Sequence, residues 1–346
     1  MSQFEKEHEL IEYSELFNNF LEFALGKYDS DDSFDTRERG VRAWLSWCEG
    51  GAENSVRVDP LNAGEGEIHA YITELNTEYA DTTIASQVSS VAVFYEWAIS
   101  DPAIDTSIDE NPTADLDLKS KYNIDPQTSE YVKILRREGR KDVKALPKKR
   151  IENLFSHAGK PAIRNELIIR LMWQTALRCD EMTRIKLDNI DWDNRQIRIR
   201  SSKLNPDDHP DLYHRYVYWE PNLDLLMKEW AEVARKEEGP YHNESEYLFL
   251  TDQSPQMRPS HISRIVKDAA HRAGEQEPMG EDGNGNTRWL ITGHRIRHSA
   301  ISHWANETDL DLHHIRKVAG HAQLDTTMDY ITTDWKKVRE AFHSTR

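Results

Sequence analysis

Four short stretches in the second half of the chain hold residue types able to handle a phosphate. They are TALRCDE around Arg178, SSKLN around Lys203, HRIRH from His294 to His298, and GHAQLDTTMDY from Gly320 to Tyr330. Arginine offers a planar, permanently charged fork that can grip two anionic oxygens, and lysine a compact charge that can release a proton. His294 and Arg297 are three residues apart, so a helix sets both on one face, within reach of a single phosphate. Taken singly, each residue also has an ordinary reading. Arg178 stands at a break in an apolar helix, where a guanidinium can enter a pocket or satisfy helix-end carbonyls. Glu181, one turn further on, can hold that arginine or cap the next helix. Lys203 falls between two strand candidates, where most lysines are solvated, and a tyrosine such as Tyr330 usually packs a core or sits half exposed.

The histidines raise a metal site as a rival, since His294, His298, His303, His313, His314 and His321 crowd one span. His294 and His298 have the spacing that zinc sites use, but arginines stand between and beside them and no glutamate is placed as in HExxH, so no metal is expected. Cys48 and Cys179 are far apart and show no CxxC grouping, which indicates neither a disulfide framework nor a cysteine zinc site. Gly280 to Asn286, GEDGNGN, reads as a loop without the strand-then-helix context of a phosphate-binding glycine motif.

The elements that must position these residues divide into two kinds. Up to Pro112 the apolar spacing is helical: EYSELFNNFLEFALGK with Leu16, Phe20 and Phe23, RERGVRAWLSWCEG with Val41, Trp44, Leu45 and Trp47, then EIHAYITELNTEYA and TTIASQVSSVAVFYEWAIS. Further on the pattern is mixed. An apolar helix precedes Arg178, RQIRIRSS and YHRYVYW alternate as strands, and helices resume at NLDLLMKEWAEVARKE, SHISRIVKDAAHRAG and through the histidine-rich region. The expected organisation is a helical domain over 1–120, a basic connector over 121–147 and a mainly helical domain with a small antiparallel sheet over 148–346. The connector and its exit carry Arg136, Arg137, Arg140, Lys141, Lys144, Lys148 and Lys149, candidates for contacts to nucleic-acid phosphates.

The net charge is -17, unevenly spread: residues 1–130 hold 28 Asp and Glu against 8 Lys and Arg, and residues 131–346 hold 33 against 36. Acidic excess with few lysines resembles proteins of salt-loving archaea, where molar salt shortens the screening length to about 3 Å and a global negative charge says little about partners. No run of about 18 apolar residues occurs and the N-terminus is acidic, so neither a membrane span nor a signal peptide is expected, and a cytoplasmic protein is.

As an ordered set, arginine, lysine, histidine-x-x-arginine, histidine and tyrosine, the motifs resemble the tyrosine recombinase or integrase family, of the Xer, Cre and lambda-integrase type. TALRCDEMTRIKLDNID is similar to its first-arginine box, GHRIRHSAISHW to its HxxRH box, and VAGHAQLDTTMDYI to its final box with the family's spacing from histidine to tyrosine. The resemblance covers about the last two hundred residues, and TTIASQVSSVAVFYEWA followed by NP matches the core-binding domain more loosely. It implies an N-terminal all-helical, SAM-like core-binding domain that clamps DNA, and a C-terminal α+β catalytic domain. It further implies a pocket of Arg178, Lys203, His294, Arg297 and His321, Tyr330 as nucleophile, and Glu181 and His298 in support.

On that resemblance, the activity is cutting and rejoining of double-stranded DNA through a 3′-phosphotyrosine, with no cofactor, metal or ATP. His294 would be the base and Lys203 the acid, and a homotetramer would act on two specific DNA sites. The segment ITTDWKKVREAFHSTR, with Trp335, Val338 and Phe342, would form an amphipathic helix lent to a neighbouring subunit. The alternatives are strand relaxation of the type IB topoisomerase kind and a DNA-binding regulator without catalysis.

Overall fold

The computed structural model describes residues 10–28, 31–50, 58–126, 145–201, 204, 206–281, 287–323, 325–328 and 330. Lys203, the connector residues Arg136, Arg137, Arg140, Lys141 and Lys144, and the segment from Trp335 onward lie outside them. Two units emerge, one drawn from residues 1–142 and 279–288, the other from 143–278 and 289–346.

In the first unit four helices, α1 (Ser14–Lys27), α2 (Asp31–Cys48), α3 (Glu65–Glu78) and α4 (Asp81–Ser100), stand where the apolar periodicity predicts them. The inward face of α1 is Phe17, Phe20 and Ala24, while Leu16 and Phe23 pack at the margin of the core. On α2 the expected set of Val41, Trp44, Leu45 and Trp47 is buried throughout. Trp44 stacks on Trp47 with ring centroids 5.3 Å apart and meets Tyr71 edge-on at 5.0 Å, so large apolar area is removed from water by a few rings. Helices α2 and α4 are in tight contact at Gly40, where a Cβ would overlap the side chain of Ser90. A short helix α5 (Leu118–Tyr122) follows, and Ile124 after it is fully buried in the same core.

The second unit runs α6 (Lys148–Phe155), α7 (Ala162–Thr175), α8 (Cys179–Thr183), β1 (Ile190–Asp191), β2 (Gln196–Arg200), a one-turn α9 (Pro210–Tyr213), β3 (His214–Tyr218), α10 (Asp224–Lys228) and α11 (Pro259–Arg272). Paired strands β4 (Pro278–Glu281) and β5 (Thr287–Trp289) lie next in sequence, before α12 (Gly293–Glu307), α13 (Leu312–Ala319) and α14 (Asp325–Met328). Leu146, ahead of α6, is buried, and its N–H donates to Ser299 Oγ at 2.8 Å. Packed structure therefore enters the 121–147 span from both ends.

Helix α7 is the centre of this unit. Leu167, Ile168, Ile169, Leu171 and Met172 are fully buried, because α6, α11 and α12 all pack against it, and its partly exposed stripe is polar, Glu166, Arg170 and Gln174. Strands β1, β2 and β3 form an antiparallel sheet in that order, with Ile197 opposite Val217 and Ile199 opposite Arg215. Alternation holds in both longer strands: Ile197, Ile199, Arg215 and Val217 face inward, and Arg198, Arg200, Tyr216 and Tyr218 face out.

Two expectations are corrected. The stretch around NLDLLMKEWAEVARKE is not one α-helix but a succession of 3-10 turn, α10, π turn over Glu229–Val233 and 3-10 turn. Within the π turn Trp230 is fully buried and its Nε1 donates to Leu248 O at 2.9 Å. The GEDGNGN stretch is not loop throughout, since Gly280 and Glu281 belong to β4, and residues 282–286 lie outside the described residues. Taken whole, the described chain is mainly α with small sheets, and none of its helices is long and apolar enough to cross a membrane.

Replacing Gly40 by valine inserts atoms where α2 and α4 already touch. The expected outcome is a loss of about 1–3 kcal/mol in denaturant-unfolding stability, and an unchanged unfolding midpoint would show that the crossing can open without strain.

Candidate active site

The site begins where α7 ends. Ala176 takes the left-handed conformation at φ 50°, and the chain is extended at Arg178 before α8 starts. Glu181, in the first turn of α8, accepts the Arg178 N–H on Oε2 at 3.0 Å and the Arg178 Nη1 on Oε1 at 3.1 Å. The carboxylate therefore caps the new helix and holds the arginine at the same time.

Arg297 comes to the same carboxylate from α12. Its side chain is 3% exposed, and Nη1 lies 4.0 Å from Glu181 Oε2. Nη1 donates to Ala176 O and Nη2 to Ala319 O at 2.7 Å. It is Arg297, not Arg178, that satisfies the carbonyl at the end of α7. A guanidinium has five N–H donors, so these two bonds leave others for a ligand. The start of α12 approaches closely because residue 293 is glycine: a Cβ there would overlap Cys179 Sγ and lie 3.0 Å from Met172 Cε.

A third guanidinium, which the motifs do not single out, arrives from β3. Arg215 is buried, with Nη2 donating to Glu181 Oε2 at 2.9 Å and Nε to Val318 O at 2.9 Å. The signal for it was the alternation of YHRYVYW, which sets Arg215 in phase with the buried Val217 and Trp219.

Burial by itself would raise the Glu181 pKa, but Arg215, Arg178 and Arg297 outweigh it and hold the carboxyl at about 2. Burial, with Arg178 beside it, lowers Arg297 to about 10, which leaves it charged at neutral pH. Three guanidiniums around one carboxylate leave two positive charges uncompensated.

The histidines and the tyrosine close the other side. Helix α13 ends in left-handed Gly320 at φ 67°, after which His321 is buried with Nδ1 2.9 Å from the Thr327 hydroxyl. Arg316 fixes this turn by donating to His321 O at 3.1 Å and Ala322 O at 2.7 Å. On α12, His294 is exposed and its Nε2 lies 2.6 Å from His298 Nε2. Burial, then the nearby His294 and Arg295, lowers His298 to about 3; burial, then Arg297 and Arg178, lowers His321 to about 4. Both imidazoles are neutral at pH 7 and each keeps one N–H to donate. The Tyr330 ring stacks on His298 at 5.0 Å and on His321 at 5.8 Å. Its backbone is held on both sides, N–H to Thr327 O at 3.2 Å and carbonyl from Asn306 Nδ2 at 2.8 Å.

The second unit thus brings Arg178, Glu181, His294, Arg297, His298, His321 and Tyr330 together within one chain. Lys148 and Lys149 are exposed at the start of α6, and Lys148 lies 3.9 Å from Glu152 in a solvated pair. Cys48 and Cys179 are free thiols. Among the described residues no three His, Cys, Asp or Glu side chains form a group that could hold a metal ion.

The profile of the phage integrase family matches residues 144–337, more than half of the chain, and the protein belongs to that family. Among curated proteins, the tyrosine recombinase XerA of Pyrococcus furiosus is 26% identical over 201 residues, which cover 57% of this chain and 60% of that protein. The tyrosine recombinase XerC of Anoxybacillus flavithermus is 23% identical over 333 residues, 92% of this chain and 90% of its own. Among solved structures, the Tn1549 transposon integrase in complex with transposon right end DNA superposes with a TM-score of 0.65 at 16% identity, covering 96% of this chain and 98% of that one. The XerH site-specific recombinase bound to its difH substrate gives a TM-score of 0.60 at 16% identity, covering 89% and 78%.

Because the Glu181 carboxyl falls from an ordinary 4.5 to about 2 on folding, the stability it contributes is complete above pH 4.5 and is lost as the pH drops toward 2. The melting temperature of the wild type should therefore fall more steeply across that window than that of Glu181→Gln, which has no group to titrate. Parallel pH profiles would mean that the carboxylate is not clamped in solution.

Proposed function

We propose that the protein is a site-specific DNA recombinase that cleaves and rejoins strands through a 3′-phosphotyrosine formed on Tyr330. The observation that carries this reading is the placement of the Tyr330 ring against His298 and His321, beside a buried guanidinium cluster of its own chain. A binding module has no use for a tyrosine in that position. The relatives named as tyrosine recombinases and the structures of recombinases on DNA support the same reaction class.

In the proposed step the Tyr330 oxygen attacks the scissile phosphorus, the bond to the 5′-oxygen breaks, and the phosphotyrosyl ester forms with a free 5′-hydroxyl on the departing strand. The covalent ester keeps the reaction reversible, so the hydroxyl of another strand can attack it and join new partners. Negative charge grows on the nonbridging oxygens in the pentacovalent transition state, and Arg178 and Arg297 supply preorganised donors against it. Neutral His321 offers a further N–H to the phosphate. Tyrosine, with an ordinary pKa near 10, must lose its proton, and the 5′-oxygen must gain one. His294 is the proposed base and Lys203 the proposed acid. Arg136, Arg137, Arg140, Lys141, Lys144, Lys148 and Lys149 are proposed phosphate contacts, which add affinity without reading bases. The first unit is the proposed DNA clamp, and the working assembly is a homotetramer on two copies of a specific duplex site.

Tyr330→Phe should bind duplex DNA as the wild type does but form no denaturant-resistant adduct with a nicked suicide substrate on a denaturing gel. An adduct in the Phe variant would remove Tyr330 as nucleophile and this reading with it. Arg178→Lys and Arg297→Lys keep a charge but lose the planar fork, and each should slow single-turnover cleavage by about a hundredfold or more. A near wild-type rate in either variant would place that arginine outside the chemistry.

A further inference from the structure

We propose that Arg215 is a positioning residue for strand cleavage, an inference that rests on the reading of the pocket given above. Arg215 touches no substrate. It holds the carboxylate and the backbone turn on which Arg178, Arg297 and His321 depend.

Three observations carry it. Arg215 occupies an inward position of β3, 4% exposed, where a strand next to Val217 would ordinarily place an apolar residue. Its fork spans two segments of the site: Nη2 donates to Glu181 Oε2 at 2.9 Å, and Nε donates to Val318 O at 2.9 Å, just ahead of the turn that delivers His321. Gly320 is pressed against the same guanidinium, since a Cβ there would lie 2.9 Å from Arg215 Cζ, 3.0 Å from Nε and 3.1 Å from Nη1. The glycine thus serves twice, supplying the left-handed turn and leaving room for the guanidinium. Nη1 has no acceptor among the described residues. A side chain kept only for packing has no reason to carry a buried charge with an unspent donor.

Removing Arg215 has a definite physical consequence. Glu181 Oε2 would keep the Arg178 N–H and Arg297 at 4.0 Å as its nearest cationic or polar neighbours. A buried carboxylate so depleted draws the remaining guanidiniums onto itself, pulling Arg297 from the Ala176 and Ala319 carbonyls and away from the phosphate. The uncompensated charge of the cluster falls from two to one, while the charge that the transition state places there is unchanged.

The test uses the full chain, Arg215→Met, Arg215→Lys and Glu181→Gln combined with Arg215→Met. Melting temperature, duplex affinity and single-turnover cleavage of a nicked suicide duplex are read for each, with a normal and with a methylphosphonate scissile linkage. Arg215→Met should bind DNA within about threefold of wild type and cleave about a hundredfold or more slowly. Arg215→Lys should recover part of the rate. The double variant should cleave faster than Arg215→Met alone, because no carboxylate is left to capture the arginines. The uncharged methylphosphonate should narrow the gap between Arg215→Met and wild type, which a loss of packing alone would not do.

The inference is overturned by a wild-type rate in a folded Arg215→Met or, where that variant does not fold, in Arg215→Lys. It is overturned equally by additive losses in the double variant together with an undiminished gap on methylphosphonate. Absence of any adduct in the wild type would instead overturn the recombinase reading, whereas a wild-type adduct with an indifferent Arg215 removes only the role of Arg215.

Discussion

A carboxylate buried away from water is tolerable only when cations and hydrogen bonds replace its hydration, and Glu181 meets that requirement by drawing on three places at once. Arg178 is its neighbour in sequence, Arg215 comes from the sheet 34 residues on, and Arg297 comes from α12. The constraint acts in both directions. Three guanidiniums brought together would repel one another, and the single carboxylate among them makes their convergence affordable. What remains is a rigid cluster with surplus positive charge, organised before any phosphate arrives.

The same cluster sets the protonation of its surroundings. His321 is buried and His298 half-buried beside arginines, and both effects favour the neutral imidazole. Neutral histidines can sit against a tyrosine ring and offer an N–H without adding to the crowd of charges. Electrostatics, more than steric fit, accounts for why these residue types coexist in so small a volume.

Close backbone approach does the rest. Gly293 lets the first turn of α12 meet α7 and Cys179, which brings Arg297 to the carbonyl left over at the end of α7. Gly320 turns the chain after α13 so that His321 enters the site. Helix ends expose carbonyls that need donors, and here the donors are arginines of the site, so the termination of α7 and α13 and the placement of Arg297 are one problem with one solution.

Much of this was legible in the residues. Apolar periodicity located the four helices of the first unit and the alternating strands of the second, because those patterns report which side of an element faces a core. The ordered motifs picked out Arg178, His294, Arg297, His321 and Tyr330, which the fold then gathers. Periodicity was less able to say how far a helix is rotated, and the inward face of α1 proved to be Phe17, Phe20 and Ala24. It also could not show that a helical stretch would widen into a π turn at Trp230, whose side chain donates to the Leu248 carbonyl. By itself, then, the sequence determined where most of the elements lie and the set of chemical groups they carry, which depend on neighbours a few residues apart. Tertiary structure alone decided which charged group meets which: that Arg297 and not Arg178 closes the end of α7, and that Arg215 joins the cluster. Those pairings join segments distant along the chain, and only folding brings a buried charge and its partner within hydrogen-bonding distance.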